Sequence, residues 1–302
     1  MKSKIKDKKR RVQIRHFELS SFAYCFPTFH KLTVEKNYYK ECKMIKVFNI
    51  SKIVRLMLYF ILIVLLASCI YIYSEVAIEV TNQKRLLPIY CVARSDKKIA
   101  ITFDAAWGND DTKDLLKILK QYNAKATFFL VGFWVERYPK DVLEIYREGH
   151  EIGSHSDKHL HMSKLSEADI VKDIKSCEEK ILKVIGKRPS VFRPPYGEYN
   201  NTLIKTLSSL GYYVIQWDVD SLDWKDLPAN EIAQRVLKRV KSGSIVLFHN
   251  NAKNTKYALP KILSELSKGG YQFVTVSELI YKSNYYIDHQ GIQRILENGV
   301  NN

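Results

Sequence analysis

From Lys97 to residue 281, short apolar runs alternate with amphipathic stretches, and this alternation limits the possible folds more than any other feature of the chain. Ile99-Ala100-Ile101-Thr102-Phe103 and Ala126–Val131 read as buried strands, while 111–122 and 138–148 carry helical periodicity. His150–Ser154 reads as a short third strand. A long amphipathic helix over 166–186 follows, with Gly186 as its C-terminal cap. Further strands fall at 190–193, 213–217, 245–248 and 272–276, separated by helices over 199–210, 228–241 and 257–268. Seven strands alternating with helices, without a GxGxxG turn, predict an α/β fold: an irregular (β/α)7 barrel, not a dinucleotide-binding sheet. In such barrels the chemistry gathers at the carboxyl ends of the strands.

Ahead of this pattern runs LMLYFILIVLLASCIYIY, residues 56–73, uncharged and just long enough for a hydrocarbon core. Lys52 and Arg55 precede it, and Tyr59, Tyr71 and Tyr73 stand where interfacial aromatics belong. We read it as an uncleaved single-pass anchor, with the N-terminus cytoplasmic and the later residues outside the cell membrane. Leu66-Ala67-Ser68-Cys69 loosely matches a lipoprotein cleavage site, but the chain stays apolar beyond the cysteine. The net charge of +16 suggests nucleic acid until it is located: residues 1–55 hold 15 Lys/Arg against 4 Asp/Glu, leaving only +5 for the other 247 residues. A basic face on the folded part is therefore not expected, and nucleic-acid binding is excluded as its role. Residues 1–55 form a basic cytoplasmic segment, in which 1–43 reads equally well as an upstream extension before Met44. Residues 74–96 read as a stalk, 97–281 as the folded domain and 282–302 as a polar tail. Cys91 and Cys177 show no metal-ligand spacing and read as core thiols. No obligate protein partner is implied.

Each chemically interesting residue follows one of the strands. His155 and His159 are four apart; imidazole is the commonest protein ligand for zinc and its neighbours, and on a helical turn such a pair converges on one ion. Asp104 ends the first strand in apolar surroundings, where a raised pKa would suit a general base. Asp110 and Asp111 are better placed to cap the following helix. Pro194 and Pro195 fix the backbone after Arg193 and aim its guanidinium at Asp104 or at the Asp220/Asp223 group. Tyr196 offers a backbone N–H or a ring wall for an oxyanion, and Gly197 permits close approach of a substrate. Trp224 suits stacking on a sugar ring, with core packing as the alternative. His249 ends the sixth strand, where it can protonate an amine leaving group; a buried structural histidine is the plainer reading.

Taken in order, Thr102-Phe103-Asp104-Ala105, Ser154–His159, Arg193–Gly197, Asp218–Trp224 and Leu247-Phe248-His249 resemble the five motifs of the polysaccharide deacetylases, carbohydrate esterase family 4 with the NodB homology domain. The resemblance covers roughly residues 97–281. It implies removal of acetyl groups from chitin, peptidoglycan or xylan with a divalent metal, zinc or cobalt in the first place. It implies Asp104 as base, His155 and His159 as metal ligands, Arg193 as the tether of the base and His249 as acid. Asp220 or Asp223 would tune His249, and Trp224 and Leu247 would line the acetyl pocket. The usual TFDDGP is replaced here by Asp104-Ala105-Ala106-Trp107-Gly108, so the third metal ligand of the pattern is an alanine. Zinc normally takes three protein ligands in a catalytic site, which leaves Asp104, or Asp110 and Asp111, as substitutes. The FDAAWGNDDT string, the short leader and the single anchor resemble a sporulation-associated, PdaB-like branch. The expected function is a membrane-anchored deacetylase acting on the N-acetyl groups of peptidoglycan amino sugars. The alternative is a catalytically impaired glycan-binding protein with a structural role in sporulation, which Ala105 favours.

Overall fold

A computed structural model describes residues 50–82 and 85–296. Helix α1 (Ile50–Asn82) contains Lys52–Tyr73, a stretch of mean hydropathy 2.7 that is long and apolar enough to cross a membrane. The apolar run 56–73 lies within it. Most of the basic segment and the question of its start fall outside the described residues.

The second unit is built on a curled sheet of parallel strands. In chain order its elements are β1 (Cys91–Val92), β2 (Lys98–Ala105), α2 (Thr112–Gln121), β3 (Ala126–Leu130), α3 (Gly132–Arg137) and α4 (Pro139–Arg147). Then come β4 (Glu151–Ser154), α5 (Glu167–Ile185), β5 (Val191–Phe192), α6 (Asn201–Ser209), β6 (Tyr213–Val214) and β7 (Val219–Asp220). The chain continues through α7 (Ala229–Arg239), β8 (Ile245–His249), α8 (Thr255–Lys268), β9 (Gln272–Phe273), α9 (Val276–Leu279), β10 (Tyr285–Ile287) and β11 (Ile292–Ile295). The sheet order is β6-β5-β4-β3-β2-β8-β7, with β9 also pairing to β2. The result is the expected irregular α/β barrel, here in the form of a half-barrel open between β6 and β7. Its eight strands exceed the predicted seven because Val219–Asp220 adds a short strand beside β8.

Strand β2 is central because its sequence suits both faces. Ile99, Ile101, Phe103 and Ala105 are fully buried with the apolar faces of the surrounding helices, while Ala100, Thr102 and Asp104 point the other way. Burying one such Ile or Phe contributes roughly 1.5–3 kcal/mol. Gly153 in β4 has no room for a Cβ, which would press on the Phe129 ring and on Val191. Helix α5 begins at Ser166, whose hydroxyl accepts the Asp169 N–H at 3.2 Å, and stops at Gly186 with φ of 69°.

Three expectations change. The end of the segment read as a stalk belongs to the fold: Ile89, Cys91 and Val92 are buried, and β1 pairs with β11. The seventh strand ends at Phe273, and residues 276–279 are helical because Thr275 and Glu278 form a reciprocal capping box. Residues 285–295, read from sequence as tail, form a hairpin whose β11 pairs in parallel with β1. Asp288 and Gly291 make its turn: Asp288 Oδ1 accepts the N–H groups of Gln290 and Ile292 at 2.9 and 3.0 Å. Cys91 and Cys177 are free and buried, in agreement with core thiols.

Candidate active site

The strand ends open into a cavity of about 620 Å³. Asp104, His155, His159, Tyr196, Asp220, Trp224, Leu247 and His249 all line it, so the fold brings together eight of the residues singled out from sequence. Arg193 and Asp223 lie beneath this lining and hold it.

On one side, Asp104 is gripped from below. The Arg193 guanidinium is fully buried; Nη1 donates to Asp104 Oδ1 at 2.7 Å and to Thr102 Oγ1 at 2.8 Å, and Nη2 donates to the Gln216 carbonyl at 3.1 Å. Its plane lies over the Phe129 ring at 4.2 Å. The raised pKa expected for Asp104 is not found. Burial does push the carboxyl up, but the Arg193 charge and hydrogen bond, with the histidines around it, outweigh burial and hold it below the ordinary carboxylate range. The expectation of a raised value weighed the apolar strand alone and left out the charge of Arg193, already a candidate partner of Asp104. Of the two partners open to Arg193, the structure selects Asp104.

On the other side, His249 ends β8 directly opposite Asp104 in the sheet register. Asp223, fully buried, accepts His249 Nδ1–H at 2.7 Å and the His249 backbone N–H at 2.8 Å, and takes the Thr255 hydroxyl at 2.7 Å. Burial lowers the His249 pKa, but the Asp223 hydrogen bond and charge, aided by Asp104 and Asp220, raise it overall. Asp220 is not the partner of His249; its carboxylate accepts the Leu222 N–H at 2.8 Å.

The histidine pair departs from expectation. Residues 155–159 form a loop, not a helical turn, with positive φ at Ser156 (69°) and His159 (55°). The Ser156 hydroxyl fixes it by accepting the His159 N–H at 2.8 Å, and Asp173 of α5 accepts the Asp157 N–H at 2.7 Å. The rings still meet edge to face, with centroids 5.0 Å apart. His155 Nδ1 donates to the Arg193 carbonyl at 2.7 Å, which leaves Nε2 free, 3.6 Å from Asp104 Oδ2. Burial lowers the pKa of both imidazoles, His159 to about 4 with help from His155, so both are neutral and have lone pairs to offer.

A third donor is missing. Ala105 is fully buried in the core that faces the helices. Asp111 is engaged by Lys256 at 2.6 Å and Asp110 is exposed outside the cavity lining, so neither substitutes, and Asp111 caps α2 without a side-chain hydrogen bond. Among the described residues no group of three His, Cys, Asp or Glu side chains could hold a metal ion. The donor set does not fit the three-ligand plan of a catalytic zinc site.

Several cavity residues were not anticipated. Trp107 and Trp217 add aromatic wall, and Asn250 Nδ2 donates to the Gly108 carbonyl at 3.0 Å, tying the loop after β2 to the end of β8. The adjacent Asn250-Asn251 in the sequence was the available sign. Thr102 and Thr255 had none, because their roles depend on residues far away in the chain.

The parallel α/β half-barrel thus sets a carboxylate and an imidazole at the ends of adjacent strands, each on its own buried partner. Residues 92–215 match the polysaccharide deacetylase family model. A peptidoglycan-N-acetylglucosamine deacetylase of Bacillus cereus is 43% identical over 194 residues, covering 63% of this chain and 91% of that protein. The chain belongs to the polysaccharide deacetylase family. It is also 37% identical to the peptidoglycan-N-acetylmuramic acid deacetylase PdaC of Bacillus subtilis, of which it spans only 39%. Among solved structures it resembles a CE4 family pseudoenzyme from Bacillus anthracis at a TM-score of 0.62 and 32% identity, covering 64% of this chain and 68% of that one. A mutant of that pseudoenzyme with restored enzymatic activity matches equally well, at a TM-score of 0.62 and 33% identity over 64% of this chain and 70% of that one. Deacetylases of this family are generally metal-dependent, and its members thus include both active and inactive forms of one scaffold.

Proposed function

We propose that this chain binds the glycan of peptidoglycan in the cavity and removes acetyl groups from its amino sugars. It does so with Asp104 as base and His249 as acid, and slowly for want of a third metal donor. The observation that carries this reading is the opposed pair of Asp104 on Arg193 and His249 on Asp223, aligned across β2 and β8. Pure binding needs no such acid–base pair. Asp104, held ionised, takes a proton from a water as the water attacks the acetamide carbon. Its lowered pKa keeps the base form available and limits its strength. The backbone N–H of Tyr196 holds the oxyanion, and Leu247 and Trp224 enclose the methyl group. His249, protonated through Asp223, gives its proton to the departing nitrogen as the C–N bond breaks and acetate leaves.

The second reading is a glycan-binding protein that has lost hydrolysis. Ala105 and the absence of a three-donor group among the described residues favour it. Metal analysis of the detergent-solubilised full chain, with acetate release from N-acetylated peptidoglycan measured with and without zinc or cobalt, separates the two. Release that persists without stoichiometric metal supports the first reading, and glycan binding with no acetate under any condition supports the second. If His155 and His159 suffice for a weakly held ion, added metal raises the rate without co-purifying.

The apolar stretch Lys52–Tyr73, led by Lys52 and Arg55, supports attachment to the cell membrane with the barrel on the outer side. The Phe103–Thr112 string supports assignment to the sporulation-associated, PdaB-like branch, and with it spore or cell-wall peptidoglycan as the setting.

A further inference from the structure

The chain has four tryptophans, and they divide sharply. Trp134 is a core residue, 1% exposed, whereas Trp107, Trp217 and Trp224 all line the one cavity. Trp107 and Trp224 are 63% and 55% exposed, although an indole ordinarily contributes a large buried area when packed. Trp107 is not held out by a loose loop. The carbonyl of Gly108, next to Trp107, accepts Trp134 Nε1–H at 2.6 Å and Asn250 Nδ2–H at 3.0 Å, and Gly108 has φ of 68° with no space for a Cβ beside Asn251. The Trp107 ring itself rests edge-on against His159 at 5.0 Å and near Phe133 at 6.2 Å.

Their placement follows from the strand order. Phe133 follows β3 and His159 follows β4, so Trp107 lies on the β3/β4 side of Asp104, while Trp224 lies just beyond β7 on the other side of His249. The arc from β4 to β7 covers four strand intervals at about 4.8 Å each, which is wider than one pyranose ring. An indole face matches the apolar C–H face of a pyranose, whose hydroxyls then point sideways into water or polar groups.

We propose that Trp107 is a specificity-determining stacking platform, across the cavity from Trp224, so that the cavity takes a polymer of at least two amino-sugar units, the acetylated unit against Trp224 and a neighbouring unit on Trp107. This rests on the reading of the cavity as a glycan site and goes beyond it in fixing the length of the ligand. Single sugars reach one platform at most and bind poorly; oligomers bridge both.

The test is equilibrium binding by calorimetry of the detergent-solubilised full chain to N-acetylglucosamine and to its β-1,4-linked tetramer. The wild type is compared with Trp107→Ala and Trp107→Phe. The tetramer is expected to bind at least about 10-fold more tightly than the monomer, as two aromatic contacts replace one. Trp107→Ala is expected to weaken the tetramer by about 5-fold to 10-fold, to leave the monomer unchanged and to leave the melting temperature unchanged. Trp107→Phe keeps most of the tetramer affinity. Tetramer affinity that is equal in wild type and Trp107→Ala, or a loss that is equal for monomer and tetramer, overturns the platform and leaves the glycan site standing. A wild-type chain that binds neither sugar overturns both.

Discussion

Asp223→Asn tests how the candidate acid is prepared. The wild-type carboxylate is fully buried and accepts three hydrogen bonds, two from His249 and one from Thr255. Asparagine keeps the shape, removes the charge and has only one oxygen for these three donors, so at least one donor faces its NH2 group. Hydrogen bonds to a charged group are worth about 1.5–3 kcal/mol, and a donor left unpaired in a buried site costs about 1–3 kcal/mol. The pH dependence separates these two contributions. His249 has a raised pKa in the folded protein, so the stabilisation from the imidazolium–carboxylate pair is complete below its unfolded pKa of about 6.5 and is lost as pH rises through the folded value. The mutation should therefore cost more stability at pH 5.5 than at pH 9, by about 1–3 kcal/mol. The His249 pKa should fall, because the Asp223 hydrogen bond and charge are what raise it. NMR titration of histidine-labelled wild type and variant, together with urea unfolding at the two pH values, reads both effects. An unmoved His249 pKa, or a stability loss independent of pH, refutes the argument that Asp223 sets the charge on His249.

Other outcomes follow from the same geometry. His150 is buried and neutral, with a pKa pushed down to about 4 by burial; its Nδ1 accepts the Ala126 N–H at 3.2 Å. Its contribution is intact above pH 6.5 and is lost as pH falls toward 4, by about 3 kcal/mol in all, so His150→Leu should flatten urea stability between pH 6.5 and 4. Arg193→Met leaves Asp104 and Thr102 without their buried donor and should cost about 3–5 kcal/mol in urea unfolding, while the Asp104 carboxyl moves up in a carboxylate NMR titration. A variant of wild-type stability would show that the ion pair is dispensable. Ala105→Asp puts a carboxylate among the apolar side chains between β2 and its helices, so it should lower stability in urea unfolding and leave zinc binding in equilibrium dialysis unchanged; tighter zinc binding would show that the end of β2 turns this side chain toward the histidines.

Much of the fold was legible because long parallel strands and capped helices carry local signals. Ile99–Phe103 shows its burial in its composition, and Ser166 and Gly186 mark the ends of α5. What failed was short or non-local. The Thr275–Glu278 capping box overrode the β-rich Val274-Thr275-Val276, and the hairpin at 285–295 is stabilised by pairing with β1, some two hundred residues earlier. The site residues were found because each follows a strand, but their electrostatics were not. The sequence leaves Arg193 open to Asp104 or to the Asp220/Asp223 group, and the spacing of His155 and His159 is equally compatible with a helix and with the observed positive-φ loop. The sequence around Trp107 does not show its place in the cavity, because the rings it rests on, Phe133 and His159, are distant in the chain.

The central claim is that Asp104 and His249 act together as base and acid on an acetylated cell-wall glycan. Its most direct test is acetate release from N-acetylated peptidoglycan by the full chain, compared among wild type, Asp104→Asn and His249→Ala, with glycan binding measured in parallel. The account predicts release that drops about 10²- to 10⁴-fold in each variant while binding is retained. Undiminished acetate release from either variant contradicts it.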